Sequence, residues 1–129
     1  MRKLLAPAIK RGQIKVRADV QGRFTHRVRQ PDFFYRNRQG NEVVIEMIKL
    51  TQQRRYNISQ TADAKAFELF DLKQRPGVQT IAVVEQPETP TEDFLDAVQS
   101  IRVVAHEIID PREGMTALAR RVERDLVTV

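Results

Sequence analysis

Asp32 follows Pro31, and after thirteen intervening residues another carboxylate, Glu46, interrupts the apolar run Val43-Val44-Ile45-Glu46-Met47-Ile48 just before Lys49. Such a run predicts a strand covered on both faces. A carboxylate buried there without a partner costs on the order of several kcal/mol, as for any ion taken out of water. Two kinds of partner could offset that cost. One is a divalent cation shared with Asp32 and set against a nucleic-acid phosphate. The other is structural, with Asp32 accepting backbone hydrogen bonds at a strand start and Glu46 pairing with Arg36 or Arg38 across a hairpin. The chain has no cysteine and only two histidines, so a metal would be held mainly by oxygen, which suits Mg²⁺ or Mn²⁺.

The elements that must position these groups follow from periodicity. Residues 13–20 alternate Ile14, Val16, Ala18 and Val20 with Lys15, Arg17 and Asp19, the pattern of a half-buried strand. Gln21-Gly22 then separates it from residues 23–30, where Phe24, His26 and Val28 alternate with Arg23, Thr25, Arg27 and Arg29, so the pair reads as a hairpin with a basic outer face. Residues 32–36 continue extended, 37–41 form a turn, and 42–50 are the next strand. Residues 59–74 then predict a helix capped by Ser59 or Thr61, and 78–85 an apolar strand. Thr91 caps a second helix, 102–109 form a further strand, and Asp110-Pro111 opens a last helix with Met115, Leu118, Val122 and Leu126 as its stripe. The order β-β-β-β-α-β-α-β-α implies an α/β domain, an antiparallel N-terminal meander followed by αβαβα on a mixed sheet.

At 129 residues one domain is expected, divided into a basic hairpin (1–29), a core (30–109) and a C-terminal helix (110–127). The net charge of +5 is unevenly spread: residues 1–38 hold eleven Lys/Arg against two acids, +9, and residues 39–129 eleven against fifteen, −4. That asymmetry is the footprint of a phosphate-binding surface, or else of a solvated basic face. No apolar run approaches the roughly 20 residues of a membrane span, and the opening is too short for a signal peptide, so a cytoplasmic location is expected.

Pro31-Asp32, the thirteen-residue gap, Glu46 and a nearby lysine resemble the PD-(D/E)XK nuclease superfamily, which includes many restriction endonucleases, archaeal Holliday junction resolvases and transposon end-cleaving subunits. The resemblance covers residues 30 to about 109, since helix, strand, helix and strand also follow the glutamate in that family. It implies a restriction endonuclease-like mixed sheet, with Asp32 and Glu46 as ligands of Mg²⁺ or Mn²⁺ and Lys49 beside the attacking water. Phosphodiester cleavage needs charge neutralised at phosphorus and a hydroxide at neutral pH, both of which a carboxylate-held metal supplies. The family's E-x-K spacing puts Glu and Lys on one strand face, whereas here Ile48 fills the lysine position and Lys49 comes one residue late. Either a bulge restores the geometry, or Arg54, Arg55 or Lys65 takes the role, or the site does not cut.

On this reading Arg17, Arg23, Arg27 and Arg29 contact phosphates, Arg54 and Arg55 add to that surface, and Tyr56, which with Gln52 has the Q-x-x-x-Y spacing of RecB-like members, touches substrate. His26, His106, Phe33, Phe34, Tyr35, Phe67 and Phe70 are read as core or strand-edge residues. The resulting expectation is a metal-dependent endonuclease acting on duplex DNA, as a homodimer because two strands need two sites. A nuclease-like fold without chemistry, binding nucleic acid or assembling a larger machine, is the alternative. A protein-interaction domain for an acidic partner is the third.

Overall fold

The computed structural model describes residues 2–50 and 55–126, residues 55–57 in backbone only. The chain runs α1 (Ala6–Lys10), β1 (Ile14–Val16), β2 (Val20–Gln21), β3 (Val28–Arg29), β4 (Phe33–Arg36), β5 (Glu42–Lys49), α2 (Arg55–Lys73), β6 (Gln79–Glu85), α3 (Glu92–Val104), β7 (Glu107–Ile109) and α4 (Pro111–Leu126). It is an α/β fold on a mixed five-stranded sheet ordered β1-β4-β5-β6-β7. Pairing is antiparallel from β1 through β4 to β5 and parallel from β5 through β6 to β7.

β5 lies at the centre because its residues are apolar on both sides, the composition that a sheet covered by helices on both faces requires. Val44, Ile48 and the following Leu50 pack with Ile58, Leu69 and Leu72 of α2 and with Phe94 and Ile101 of α3. Val43 and Ile45 face the other way, onto Phe33, Tyr35, Ile81 and the Leu118-Ala119-Val122 stripe of α4. The aromatic triplet divides likewise: Phe33 and Tyr35 are buried beneath α4, where the Tyr35 hydroxyl donates to Asp125 Oδ2 at 2.7 Å, and Phe34 packs on the α2 side.

The local stop and start signals act as their chemistry dictates. Thr91 Oγ1 accepts the Phe94 N–H at 3.1 Å, and Asp110 Oδ1 accepts the Arg112 N–H at 2.9 Å ahead of α4. Four expectations are corrected. The predicted strand 13–20 breaks after Val16, because Arg17 turns into the left-handed region at φ 54°. Residues 23–27 form the loop of a separate two-stranded ribbon in which Val20 pairs with Arg29 and Gln21 with Val28. Residues 102–104, expected in a strand, complete α3, whose buried Phe94, Ala97, Val98 and Ile101 keep helical spacing to its last turn. A short helix, α1, precedes the sheet, and α2 begins at Arg55 rather than near Ser59.

Candidate active site

β4 and β5 bring the two carboxylates side by side. Phe33 faces Ile45 in their antiparallel register, so one further step sets Asp32 against Glu46. Cross-strand neighbours share a sheet face. Asp32 stands just before β4 and extends the ladder with its side chain, Oδ2 accepting the Met47 N–H at 2.8 Å. Its Oδ1 lies 3.9 Å from the exposed guanidinium of Arg17, and the Arg17 backbone N–H donates to the Asp32 carbonyl at 3.3 Å. The structural role expected of Asp32, acceptor of a backbone hydrogen bond, is thus filled by one oxygen.

Glu46 is fully buried, on the face that β5 turns toward α2. Its Oε2 meets the Lys65 Nζ of α2 at 3.0 Å, and Lys65 reaches Glu68 at 3.7 Å. Oε1 is buried with no hydrogen-bond partner among the described residues, an exception of the kind that calls for a reason. Burial pushes the Glu46 carboxyl up to about 7; Lys65 pulls it down, and the negative charges of Glu68 and Asp32 push it further up. Burial alone would lower the Lys65 ammonium, but Glu46, Glu68 and Asp32 outweigh it and hold the amine above its ordinary value. Arg36, expected as a structural partner for Glu46, lies 4.0 Å from Glu42 instead.

Lys49 is set apart from this pair. The β5–β6 register is continuous from Glu46↔Ala82 through Met47↔Val83 and Ile48↔Val84 to Lys49↔Glu85, so no bulge turns Lys49 toward Glu46. It borders, with Met47, Glu85, Arg112 and Met115, a cavity on the α4 side of the sheet. Ile48, at the expected lysine position, is buried in the core. The amine that reaches the glutamate comes from α2, along whose inner face Ile58, Ala62, Lys65, Leu69 and Leu72 recur at helical spacing. A lysine inside an apolar stripe is the signal that would have singled out Lys65.

The predicted phosphate-binding arginines separate. Arg17, Arg23 and Arg27 are exposed. Arg29, with 14% of its side chain exposed, instead turns inward and gives its Nε to Asp71 Oδ2 at 2.9 Å. Arg54 and the side chains of Arg55 and Tyr56 lie outside the described residues. His106, 26 residues from Thr80 in sequence, accepts the Thr80 N–H through Nδ1 at 3.0 Å, the edge role expected of it. His26 sits exposed in the ribbon loop at φ 60°.

Among the described residues no three His, Cys, Asp or Glu side chains converge on a metal position. A pair of carboxylates with a buried oxygen unpartnered among the described residues nonetheless fits Mg²⁺ or Mn²⁺, hard ions commonly bound through one or two carboxylates with waters and substrate phosphate filling the remaining positions. Comparison with protein-family models, curated proteins and solved structures finds no match for this chain.

Proposed function

We propose that this chain is a divalent-metal-dependent endonuclease with a restriction endonuclease-like fold, acting on DNA. The observation that carries the reading is the Glu46 side chain: fully buried, opposite Asp32, bound to a lysine through Oε2 and without a hydrogen-bond partner among the described residues at Oε1. The oxygen donors Asp32 Oδ1 and Glu46 Oε1 would hold Mg²⁺ or Mn²⁺. A bound ion of this kind neutralises charge at the phosphoryl group and supplies hydroxide near neutral pH. Asp32 is oriented by the Met47 N–H, which leaves Oδ1 for ligation. Lys65 fixes Glu46 through Oε2, and because its amine stays protonated it serves charge stabilisation rather than proton removal. Lys65 thereby takes, from a helix, the role that the family pattern gives to a lysine on the strand. Exposed Arg17, Arg23 and Arg27 would meet the phosphates. Cutting both strands of a duplex calls for two copies of the site, hence a homodimer.

The Glu46–Lys65 ion pair also supports the alternative of a fold that binds nucleic acid without cutting, since the lysine satisfies half of the carboxylate unaided. Nicking of supercoiled plasmid in Mg²⁺ or Mn²⁺ separates the two. Metal-dependent nicking abolished by Asp32→Ala and by Glu46→Ala is the expected result. Salt-sensitive binding with no nicking selects the alternative, and nicking untouched by either substitution overturns the site.

A further inference from the structure

Two aromatic rings lie at the surface: Phe67, expected in the core, is 45% exposed, and Phe24, expected on the apolar face of the hairpin, is 61% exposed, as is Val28 of the ribbon at 62%. Phe24 meets Phe70 edge-on, ring centres 5.4 Å apart at 73°, and Phe67 lies 6.4 Å from the same ring. The Arg29 guanidinium sits 5.6 Å over the Phe67 ring. Exposed arginines 23 and 27 flank Phe24 in the loop.

Phe67 projects from α2 itself, and Phe24 is held outward by a clamp. Asp71, a fully buried carboxylate on α2, accepts the Phe24 and Thr25 N–H groups at 2.9 and 2.8 Å on Oδ1, and the Thr25 hydroxyl and Arg29 Nε at 2.6 and 2.9 Å on Oδ2. Burial would raise its carboxyl, but the bonds from Thr25, Arg29 and Phe24 override this and hold it at about 2. Gly22 is required there, since a Cβ at that position would fall 1.9 Å from Asp71 Oδ2. The loop therefore cannot fold back to bury Phe24 without breaking the three bonds that Phe24 and Thr25 make to a buried charge.

Rigid exposed rings ringed by cations suit one ligand chemistry above others, a polyanion with free aromatic faces. We infer that the ribbon loop and α2 form a stacking platform for unpaired bases of single-stranded DNA, with Phe24 and Phe67 taking bases and Arg23 and Arg27 the adjoining phosphates. The inference rests on the nucleic-acid reading above and narrows it. The substrate would carry a single-stranded segment beside the cut, because paired bases already stack on one another and offer no free face. Lys65 and Phe67 lie two residues apart on different faces of α2, so a strand stacked on Phe67 would pass around the helix to reach the Glu46 side.

The chain contains no tryptophan, so Phe24→Trp and Phe67→Trp each introduce a unique fluorophore. In EDTA, where no cutting is possible, oligo-dT should quench both reporters strongly and saturably, and blunt duplex of equal length should not. By anisotropy, Phe24→Ala and Phe67→Ala should each weaken oligo-dT binding roughly 5- to 150-fold, the equivalent of about 1–3 kcal/mol of stacking per base, and leave duplex binding and its salt dependence unchanged. Unquenched tryptophans with wild-type affinity in the alanine variants would overturn the platform. So would equal loss on duplex, or polyglutamate quenching the reporters as well as oligo-dT, which would mark an acidic protein partner. Quenching with no Mn²⁺-dependent cutting of either plasmid or a duplex bearing a single-stranded oligo-dT flap would uphold the platform and refute the nuclease, so the two readings fail separately.

Discussion

Replacing Glu46 by glutamine keeps an oxygen for the Lys65 amine and removes the charge, which makes it the sharpest probe of why a carboxylate is buried there. The folded protein holds the Glu46 proton up to about pH 7, against an ordinary value of 4.5, because burial penalises the ionised form more than Lys65 relieves it. A carboxyl raised on folding contributes its stability in full below about 4.5, and that contribution is lost as pH rises through about 7. Each unit is worth about 1.4 kcal/mol, so metal-free wild type should lose about 3 kcal/mol from this group between pH 4.5 and 8 while the glutamine variant does not. For a domain of this size that is roughly a 10 °C change in Tm. Thermal unfolding of both proteins in EDTA from pH 4.5 to 8.5 checks it: the variant should gain on wild type as pH rises. Added Mn²⁺ at pH 8 should then restore wild type, by mass action on the folded state, and leave the variant unmoved. A variant-minus-wild-type difference that stays flat with pH would refute the reasoning about desolvation.

Two further outcomes are expected. Lys65→Met should lower metal-dependent nicking by about 100-fold, the usual scale for losing one preorganised donor, whereas Lys49→Met, on the far face of the sheet, should leave the rate unchanged; the reverse ranking would return the role to Lys49. Gly22→Ala should destabilise the fold by about 1–3 kcal/mol in urea unfolding, since its Cβ would collide with Asp71, and combining it with Asp71→Ala should be less than additive because the clash partner is gone.

The parts of the fold legible in the sequence are those set by neighbours along the chain. Thr91 and Asp110-Pro111 marked helix starts because a cap acts within three residues, and the buried centre of β5 was legible because both sheet faces select apolar residues. Glu46 stood out for the same reason. Which lysine answers it was not legible: Lys65 lies 19 residues downstream, and only packing of α2 on β5 brings it in. The basic segment failed differently. Its alternation fitted two long strands, but positive φ at Arg17 and His26 breaks the period, and Asp71, more than 40 residues away, draws Arg29 inward while Phe24 and Val28 turn out. Residues 102–104 read as strand because Val103 and Val104 favour strands locally, while Ile101 and the residues before it commit the segment to a helix.

Calorimetric titration of Mn²⁺ at pH 8 tests the central claim most directly, since it asks of the Asp32–Glu46 pair only whether it holds an ion. Saturable binding by wild type that disappears in both Asp32→Asn and Glu46→Gln is the predicted result. Wild type that takes up no ion, or binding that survives both substitutions, would contradict it.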